Sequence, residues 1–359
     1  MIELNHVHRR FGDILAVRDL SFAVRRGEVL GFLGPNGAGK STTMRLIAGV
    51  LVPDAGEVRL DGVSVQSAPL RAATRLGFLP EGAPAWPDMT VEQFLHFIAR
   101  VRKLSGAAAS RALARVRDLT HLQAVWGQRI DTLSKGYQRR VGLAQAILHE
   151  PPALIMDEPT DGLDPNQKHD IRAAIVNMAQ ATAIIISTHI LEEVEAVCTR
   201  AIIIDKGRLL CDESPAALAA RSRYVGAVRL TLSHADASTI AQPLEALAGV
   251  EAVQTVPQGA HRVLSLLPKT GHRTLLEEVA ASCQQHGCTP VNLALESGRL
   301  DDVFRQLTMG EPETAETSAA PKPAAPPAAD SDATDSGAAD SGTPPKPTAP
   351  AANSDTPPN

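Results

Sequence analysis

Long apolar segments are missing from the sequence. Its longest apolar stretches, such as Ala153–Met156 and Ala183–Ile186, are only as long as strands, whereas a membrane-spanning helix needs roughly 18 apolar residues. Met1–Arg10 mixes charged residues with histidine and has no apolar core, which predicts that it is not a secretory signal peptide. We therefore expect any work at a membrane to depend on a separate membrane-spanning chain.

Cysteine is also rare. The four cysteines are scattered along the chain, which is typical of a protein in a reducing cytosol. Cys283 and Cys288 could be metal ligands, but no further Cys or His stands at the spacing of a zinc site. Two incidental thiols at a helix end are therefore the favoured interpretation.

A strong excess of one charge is absent as well, because the net charge is −5. The segment from Glu311 to the end holds eight acids and two lysines, which leaves 33 bases and 32 acids in the rest of the chain. A near-neutral body lacks the basic surface that long nucleic acids require, so we predict no nucleic-acid partner.

The chain divides into three parts. Residues 1–222 alternate β-rich runs with helical patterns, which indicates an α/β architecture with a parallel central sheet. Residues 223–309 follow the order β-α-β-β-α-β and then a helix, which predicts a small ferredoxin-like α+β domain. We interpret this accessory domain as regulatory or dimer-stabilising, with a small-ligand sensor as the alternative. Residues 310–359 are rich in Pro and Ala, which predicts a disordered tail, either a solvated spacer or a partner-binding segment.

A glycine-rich loop lies between a predicted buried strand, Glu28–Leu33, and a predicted helix, Thr42–Ala48, and it matches G-x-x-x-x-G-K-[ST]. Glycines let the backbone fold around phosphates, and the helix N-terminus adds the positive end of its dipole. Lys40 supplies a cation for the β- and γ-phosphates, and Ser41 supplies a hydroxyl ligand for Mg²⁺. The ATP-binding residues predicted in this loop are Gly34, Pro35, Asn36, Gly37, Ala38, Gly39, Lys40, Ser41 and Thr42.

Two adjacent carboxylates end the strand predicted over Ala153–Met156. Side chains alternate along a strand, so Asp157 and Glu158 point in different directions and can have different roles. We predict that Asp157 holds Mg²⁺ and that Glu158 polarises the attacking water as a general base. The next strand ends at His189. A lone histidine there is usually structural, but the carboxyl ends of parallel strands meet at one edge, so we predict that His189 contacts the γ-phosphate.

Leu133-Ser134-Lys135-Gly136-Tyr137 begins another predicted helix shortly before the acid pair. Ser134 can cap that helix, and Gly136 allows a close backbone approach. This segment resembles the signature motif of ABC ATPases, whose usual form is LSGGQ. The other motifs of that family also occur in the expected order: the glycine-rich loop, the acid pair, Gly162-Leu163-Asp164 and Thr188-His189. The resemblance covers roughly residues 2–220. The resemblance implies a P-loop NTPase fold of ABC type, with a RecA-like core, a helical subdomain at about 84–150 and an antiparallel β subdomain.

The resemblance also implies that two such ATPase domains pair head to tail around two ATP molecules. Ser134, Lys135 and Gly136 would then adjoin the ATP bound by the second subunit, and Asp164 would lie in the loop between the subunits. Phe11 looks like the aromatic residue that stacks on adenine, and the alternative is a buried Phe beside the first strand.

Two positions depart from the family pattern. Glu81 replaces the usual Gln, and it can still reach Mg²⁺ or the water, but it cannot donate a hydrogen bond unless protonated. We predict Glu81 as a contact of both the nucleotide and the metal. Lys135 replaces the second signature Gly, and it either adds positive charge near the nucleotide or faces solvent.

A narrower resemblance is to the ATPases of type-two ABC exporters, among which gliding-motility-type and drug- or polysaccharide-exporting ATPases look closest. It is carried by Leu79-Pro80-Glu81, Leu133–Tyr137, Gly162–Gln167 and Leu300–Thr308. It implies an ATPase, with ATP and Mg²⁺, that drives export through a separate permease. The alternatives are an accessory ATPase for maturation of a membrane or periplasmic enzyme, and a soluble ABC ATPase acting on DNA or ribosomes. The last class usually has two motor domains or a long coiled coil in one chain, and neither is predicted here.

The Pro-rich loop after Glu81 is the expected contact with the permease. In the family this region receives a short helix of the membrane subunit, and Trp86 and Met89 would make an apolar anchor for it. The alternative is that Trp86 packs only on its own helical subdomain. The resemblance thus implies two partners, a permease and a second ATPase subunit in a homodimer, at the cytoplasmic face of a bacterial inner membrane.

Overall fold

The computed structural model of the protein describes residues 1–83 and 85–309, so the predicted tail at 310–359 lies outside the described residues. In chain order, the strands are β1 (Ile2–Phe11), β2 (Ile14–Val24), β3 (Val29–Leu33), β4 (Ala55–Leu60), β5 (Val63–Ser64), β6 (Leu76–Leu79), β7 (Ala153–Asp157), β8 (Ala183–Ser187), β9 (Arg200–Asp205), β10 (Arg208–Glu213), β11 (Val228–Ser233), β12 (Val250–Gln258), β13 (His261–Pro268) and β14 (Asn292–Leu295).

The helices alternate with these strands through most of the chain. They are α1 (Lys40–Ile47), α2 (Pro69–Ala73), α3 (Val91–Val101), α4 (Gly106–Leu119), α5 (Lys135–Ile147), α6 (Pro165–Ala179), α7 (Leu191–Val197), α8 (Pro215–Ala219), α9 (His234–Glu245), α10 (Leu275–Gln285) and α11 (Leu300–Met309). Among the helices described, none is long and apolar enough to cross a membrane.

A six-stranded sheet with the order β10-β9-β3-β8-β7-β6 forms the centre of the ATPase part. Every neighbouring pair from β9 to β6 is parallel, as the sequence predicted, and β10 is antiparallel to β9. All residues of β3, β7 and β8 are buried, which explains their continuous apolar runs. In register, Ser187 stands opposite both Phe32 and Asp157, so the three strands end together at one edge.

An antiparallel sheet with the order β2-β1-β4-β5 is the second layer of the ATPase part. Its inward residues, such as Leu4 and Val58, share a core with Phe32 and Met44 of the central sheet and α1. Helices α3, α4 and α5 form the helical part, whose core includes Phe94 of α3. These layers are the P-loop ABC-type architecture that the resemblance implied.

Helix α1 begins earlier than the sequence predicted. The expected start was Thr42, but the helix begins at Lys40, because Gly39 takes the N-cap position with a φ of 106°. That left-handed conformation is open to glycine and costly for other residues. The loop therefore turns directly into the helix.

The C-terminal part holds a four-stranded antiparallel sheet with the order β12-β13-β11-β14. Helices α9 and α10 pack on it through residues such as Ile240 and Val279, in the element order β-α-β-β-α-β. Cys283 and Cys288 lie at the end of α10, where the Cys288 amide donates to the Cys283 carbonyl at 2.9 Å, as in a Schellman turn. Within the described residues, no cluster of three His, Cys, Asp or Glu side chains could hold a metal.

Helix α11 returns from the C-terminal sheet to the ATPase part. Its Leu300 and Val303 are buried in one cluster with Val194 of α7 and Leu218 of α8. The Asp302 carboxylate accepts hydrogen bonds from the Ser222 hydroxyl at 2.8 Å and from the Arg223 amide at 3.0 Å. These contacts tie the end of the described chain to the segment that leaves α8.

Candidate functional site

The glycine-rich loop has the geometry of a phosphate cradle. Lys40 at its end is 9% exposed, and its Nζ donates to the Gly34 carbonyl at 2.6 Å and to the Pro35 carbonyl at 3.2 Å. A Cβ on Gly34 would lie 2.5 Å from the Ile204 carbonyl, and one on Gly39 would lie 2.4 Å from the Ala16 carbonyl. Because both obstacles are backbone atoms, these two positions require glycine.

The charge of Lys40 is held in a partly desolvated place. Burial lowers the pKa of Lys40 below its ordinary value, while the nearby Glu158 and Asp157 carboxylates oppose this shift. Among the residues that the structure describes, the acceptors of the ammonium group are carbonyls of its own loop. A polyanion would satisfy its charge much better than those neutral acceptors do.

A cavity of about 470 Å³ opens above this loop. Seven of the nine residues predicted in the loop line it, and Gly34 and Ala38 instead lie buried behind it. Three predicted acids line it too, namely Glu81, Asp157 and Glu158. Predicted residues from three separate segments of the chain thus line one cavity.

One wall of the cavity was not predicted from the sequence. That wall comes from the hairpin of β1 and β2 and from the β9–β10 turn, and it consists of Asp13, Ile14, Leu15, Ala16, Arg18 and Lys206. The sequence held a signal for this wall, since these residues follow Phe11 closely or form a tight turn. In the structure, the Arg18 amide donates to the Gly207 carbonyl at 2.8 Å, which joins the two segments. The two added cations suit a polyphosphate ligand.

The acid pair lies at the edge of the sheet where β7 and β8 end. Asp157 is 6% exposed, and its carboxylate accepts a short hydrogen bond from the Ser187 hydroxyl. Glu158 follows the end of β7 with a φ of 51°, and its amide donates to the Ser187 carbonyl at 2.9 Å. The His189 Nδ1 lies 2.9 Å from each carboxylate oxygen of Glu158. The histidine and the acid are therefore brought together.

The oxygen ligands in the cavity suit a magnesium ion. Ser41, Asp157 and Glu81 all line it, and Mg²⁺ characteristically takes one or two carboxylates together with water and substrate phosphates. A dedicated cage of three or more acidic or histidine ligands does not occur among residues 1–83 and 85–309. The donor set therefore fits a Mg²⁺ ion that arrives with a nucleotide.

The signature segment lies outside this cavity. Ser134 caps α5 by accepting from the Tyr137 amide at 3.4 Å, and Asp164 caps α6 by accepting from the Gln167 amide at 2.9 Å. Both caps are exposed, and so is Lys135. A Cβ on Gly136 would lie 2.2 Å from Gln167 Oε1, so this glycine permits close packing of α5 against α6.

Glu81 borders a second, smaller cavity. This cavity of about 240 Å³ is also lined by Lys135, Arg139 and Asp161. Lys135 therefore faces the space next to the nucleotide cavity, and it remains solvent-exposed there. Glu81 lines both cavities, which makes it the link between them.

Phe11 lies at the tip of the β1–β2 hairpin, paired with Ile14. Its side chain is 41% exposed, so the alternative of a buried Phe is wrong. It does not line the cavity, but its partner Ile14 does. The Arg9 guanidinium covers the ring at 4.8 Å from its centroid.

Trp86 and Met89 lie on the surface of the helical part. Trp86 packs edge-on against Phe97, with 5.0 Å between ring centroids, and it also touches Phe94. Even so, 53% of its surface stays exposed. Met89 is half-buried against the helical core. The indole thus packs on its own subdomain and still presents an apolar surface to solvent.

Comparison with known proteins agrees with this geometry. The family model described as ABC transporter matches residues 17–161. The Nod factor export ATP-binding protein I of Burkholderia orbicola is 38% identical over 60% of this chain and 72% of its own length. The protein of that name from Burkholderia lata is 36% identical over 69% of this chain and 81% of its own length. A probable multidrug ABC transporter ATP-binding protein of Escherichia coli is 34% identical over 62% of this chain and 38% of its own length.

Solved structures share the fold. An ATP-binding subunit of an ABC transporter, 29% identical, superposes with a TM-score of 0.58 over 61% of this chain and 91% of that one. The cbiO1 protein of Clostridium perfringens, part of the ABC transporter complex cbiONQ, is 26% identical, with a TM-score of 0.56 over 61% and 90%. An ATP-binding cassette in a dimeric post-hydrolysis state with ADP and Pi is 21% identical, with a TM-score of 0.56 over 60% and 99%, and shares the fold alone. The chain belongs to the family of ABC transporter ATP-binding proteins, and it is the ATP-binding subunit of such a transporter.

Proposed function

We propose that the chain hydrolyses ATP in a site completed by a second copy of itself and so drives export through a separate permease. The observation that carries this proposal is the 470 Å³ cavity, in which a buried lysine, a hydroxyl and three carboxylates converge. Such a set of groups suits phosphoryl transfer to water. The ammonium of Lys40 would bind the β- and γ-phosphates in place of the carbonyls that it now contacts.

Glu158 and His189 supply the groups that act on the water. The Glu158 carboxylate would accept a proton as the water oxygen bonds to the γ-phosphorus and the bond to the bridging oxygen of ADP breaks. His189, within hydrogen-bond distance of that carboxylate, would orient the carboxylate and contact the γ-phosphate. Mg²⁺, held by Ser41 and Asp157 with Glu81 nearby, would neutralise charge on the phosphate oxygens.

A second copy would complete the site. Ser134, Gly136 and Asp164 do not line the cavity of their own chain, and two of them are exposed helix caps. The N-terminus of α5 can bind an anion through its free amides and its dipole. A head-to-tail homodimer would bring this terminus to the γ-phosphate in the other copy, and the fold relative with ADP and Pi is itself dimeric.

Export through a permease is supported by the names of the relatives, which are a Nod factor export protein and a probable multidrug transporter protein. The exposed half of Trp86 offers an apolar contact for such a permease. We propose a peripheral position at the cytoplasmic face of a bacterial inner membrane. The C-terminal part, from 223 to 309, would regulate or stabilise the dimer.

The test is purification of the full chain from detergent-extracted membranes, with mass spectrometry of the bound integral proteins and a phosphate-release assay. We expect Mg²⁺-dependent ATP hydrolysis and a stoichiometric multi-span partner. A Trp86→Ala variant should lose the partner but keep its ATPase activity, whereas Trp126→Ala is the matched control. Recovery of only ribosomes, DNA or a maturation enzyme would contradict the export proposal.

A further inference from the structure

Glu158 has a backbone conformation that its own sequence does not favour. Its φ of 51° lies in the left-handed region, which is unfavourable for a residue other than glycine. Such a conformation persists only where the surrounding contacts impose it. On one side, the Glu158 amide donates to the Ser187 carbonyl at 2.9 Å. The carbonyl of Glu158 must be held from the other side.

Two donors hold that carbonyl: the Asp161 amide of the following turn, at 3.2 Å, and the side chain of Arg139. Arg139 lies in α5, and its Nη2 donates a short hydrogen bond to the Glu158 carbonyl, which is 19 residues further along the chain. Its Nη1 donates at 3.3 Å to the Pro80 carbonyl, immediately before Glu81. One guanidinium thus joins the signature helix to the loops that follow β6 and β7.

The environment of Arg139 suits a fixed, charged connector. The residue is 5% exposed. Burial lowers its pKa, while the carboxylates of Asp161, Glu158, Asp157 and Glu81 oppose that change. An arginine remains charged even so, and its planar fork can serve two carbonyls at once, which the single ammonium group of lysine cannot do in the same geometry.

We propose that Arg139 is a positioning residue for Glu158 and that it couples the carboxylate to the movement of α5. This inference rests on the proposed function, because it takes Glu158 as the general base. A displacement of the helical part would carry the guanidinium with it and shift the Glu158 backbone. The Glu81 loop, bound to the same guanidinium through Pro80, would shift together with Glu158.

The chain contains a matched arginine away from the cavity. Arg102 donates through Nη1 to the Ala73 carbonyl at 2.7 Å and through Nη2 to the Leu76 carbonyl at 3.4 Å. Burial lowers its pKa as well. Each arginine thus bridges two carbonyls. Arg102 does so at the start of β6, and Arg139 does so after the end of that strand. Loss of Arg102 therefore measures the cost of losing such a bridge without touching Glu158.

The experiment compares Arg139→Ala and Arg139→Lys with Arg102→Ala and Arg102→Lys in the full chain. We expect the Arg139 substitutions to lower kcat about 10- to 100-fold, since a misplacement of about 1 Å has such an effect. Binding of a fluorescent ATP analogue should stay within about twofold of the wild type, because the phosphate cradle is unchanged. Guanidinium ion at millimolar concentration should restore part of the activity of Arg139→Ala through the adjoining cavity, and it should not do so for Arg102→Ala.

Two outcomes would overturn the inference: wild-type kcat in Arg139→Ala, or equal losses in the Arg139 and Arg102 variants without rescue. If Arg139→Ala does not fold, the comparison between the two lysine variants decides in the same way. Glu158→Gln in the same assay separates this inference from the proposed function. Normal hydrolysis by Glu158→Gln would refute the general-base role itself, whereas its inactivity beside a fully active Arg139→Ala would refute only the positioning role.

Discussion

His189 and Glu158 form one unit, in which Nδ1 of the imidazole lies 2.9 Å from both oxygens of the carboxylate. The two residues come from different strand ends, and the parallel register of β7 and β8 brings them together. The His189 side chain is 60% exposed, whereas that of Glu158 is 16% exposed. The imidazole therefore covers the acid on its solvent side.

Removal of that imidazole should impair turnover more than binding. We expect His189→Ala to lower kcat about 100-fold, within the range of a lost acid–base partner, because the Glu158 carboxylate then loses its orienting contact. Affinity for ATP should stay close to that of the wild type. Phosphate release and nucleotide binding would be measured on the same preparations, with His169→Ala on exposed α6 as the control. Equal activity of the two variants would remove His189 from the mechanism.

Lys40→Ala should act on binding. The buried ammonium is replaced by a methyl group, so the phosphates lose their charge-assisted hydrogen bonds. We expect an increase in the Kd for ATP of at least about 100-fold, equivalent to about 2.7 kcal/mol, measured by titration with a fluorescent analogue. Lys269→Ala, an exposed lysine of the C-terminal part, is the control. Wild-type binding by Lys40→Ala would contradict its predicted role.

Gly136→Ala tests the surface of the signature segment. The new Cβ would meet only the end of the flexible Gln167 side chain, at 2.2 Å, so the monomer should fold with little loss of stability. We expect ATP binding by the monomer to persist while steady-state hydrolysis falls at least about tenfold, because the displaced Gln167 side chain, next to the Asp164 cap, would disturb the surface that meets the other copy. Gly127→Ala, with no atom within 4 Å of the new Cβ, is the control. Unchanged hydrolysis would argue against a composite site.

His149 makes stability depend on pH. Burial, followed by the nearby Arg102 charge, lowers its pKa from 6.5 to about 4. Between these values the unfolded chain binds a proton that the folded protein does not. The contribution to stability is therefore present above pH 6.5 and is lost toward pH 4, with a slope of at most about 1.4 kcal/mol per pH unit.

His149→Gln should flatten that slope. The amide can still donate to the Leu76 carbonyl, which the imidazole contacts at 3.1 Å, but it does not titrate. Urea unfolding at several pH values between 4.5 and 7 would measure the effect, and the exposed His96→Gln is the control. An unchanged slope in His149→Gln would mean that another group causes the pH dependence.

The sequence predicted those parts of the site that depend on local patterns. The phosphate cradle follows from one strand, one loop and one helix in succession, and the acid pair follows from the end of a buried strand. The parallel sheet follows from apolar runs that are too short for helices and too continuous for a half-exposed sheet. In each case the residues that determine the geometry are close together in the chain.

Contacts between distant segments could not be predicted in this way. The hydrogen bond from Arg139 to the Glu158 carbonyl depends on how α5 packs against β6, which brings it to the loop after β7. The cavity wall that contains Arg18 and Lys206 depends on the docking of the antiparallel sheet. Likewise, α11 packs on the ATPase part because Leu300 and Val303 find an apolar site between α7 and α8. The spacing of apolar residues predicts a helix, but it does not predict which element the helix packs against.

The proposed function requires a site shared by two copies around ATP, and the Glu158→Gln variant can show whether such a pair forms. This variant should bind ATP and Mg²⁺ without hydrolysing the nucleotide, so the closed pair should accumulate. Light scattering coupled to gel filtration should give the mass of one chain without nucleotide and of two chains with ATP. The double variant with Gly136→Ala and Glu158→Gln should keep the mass of one chain even with ATP. A Glu158→Gln protein that is saturated with ATP and still elutes as a single chain would rule out the shared site.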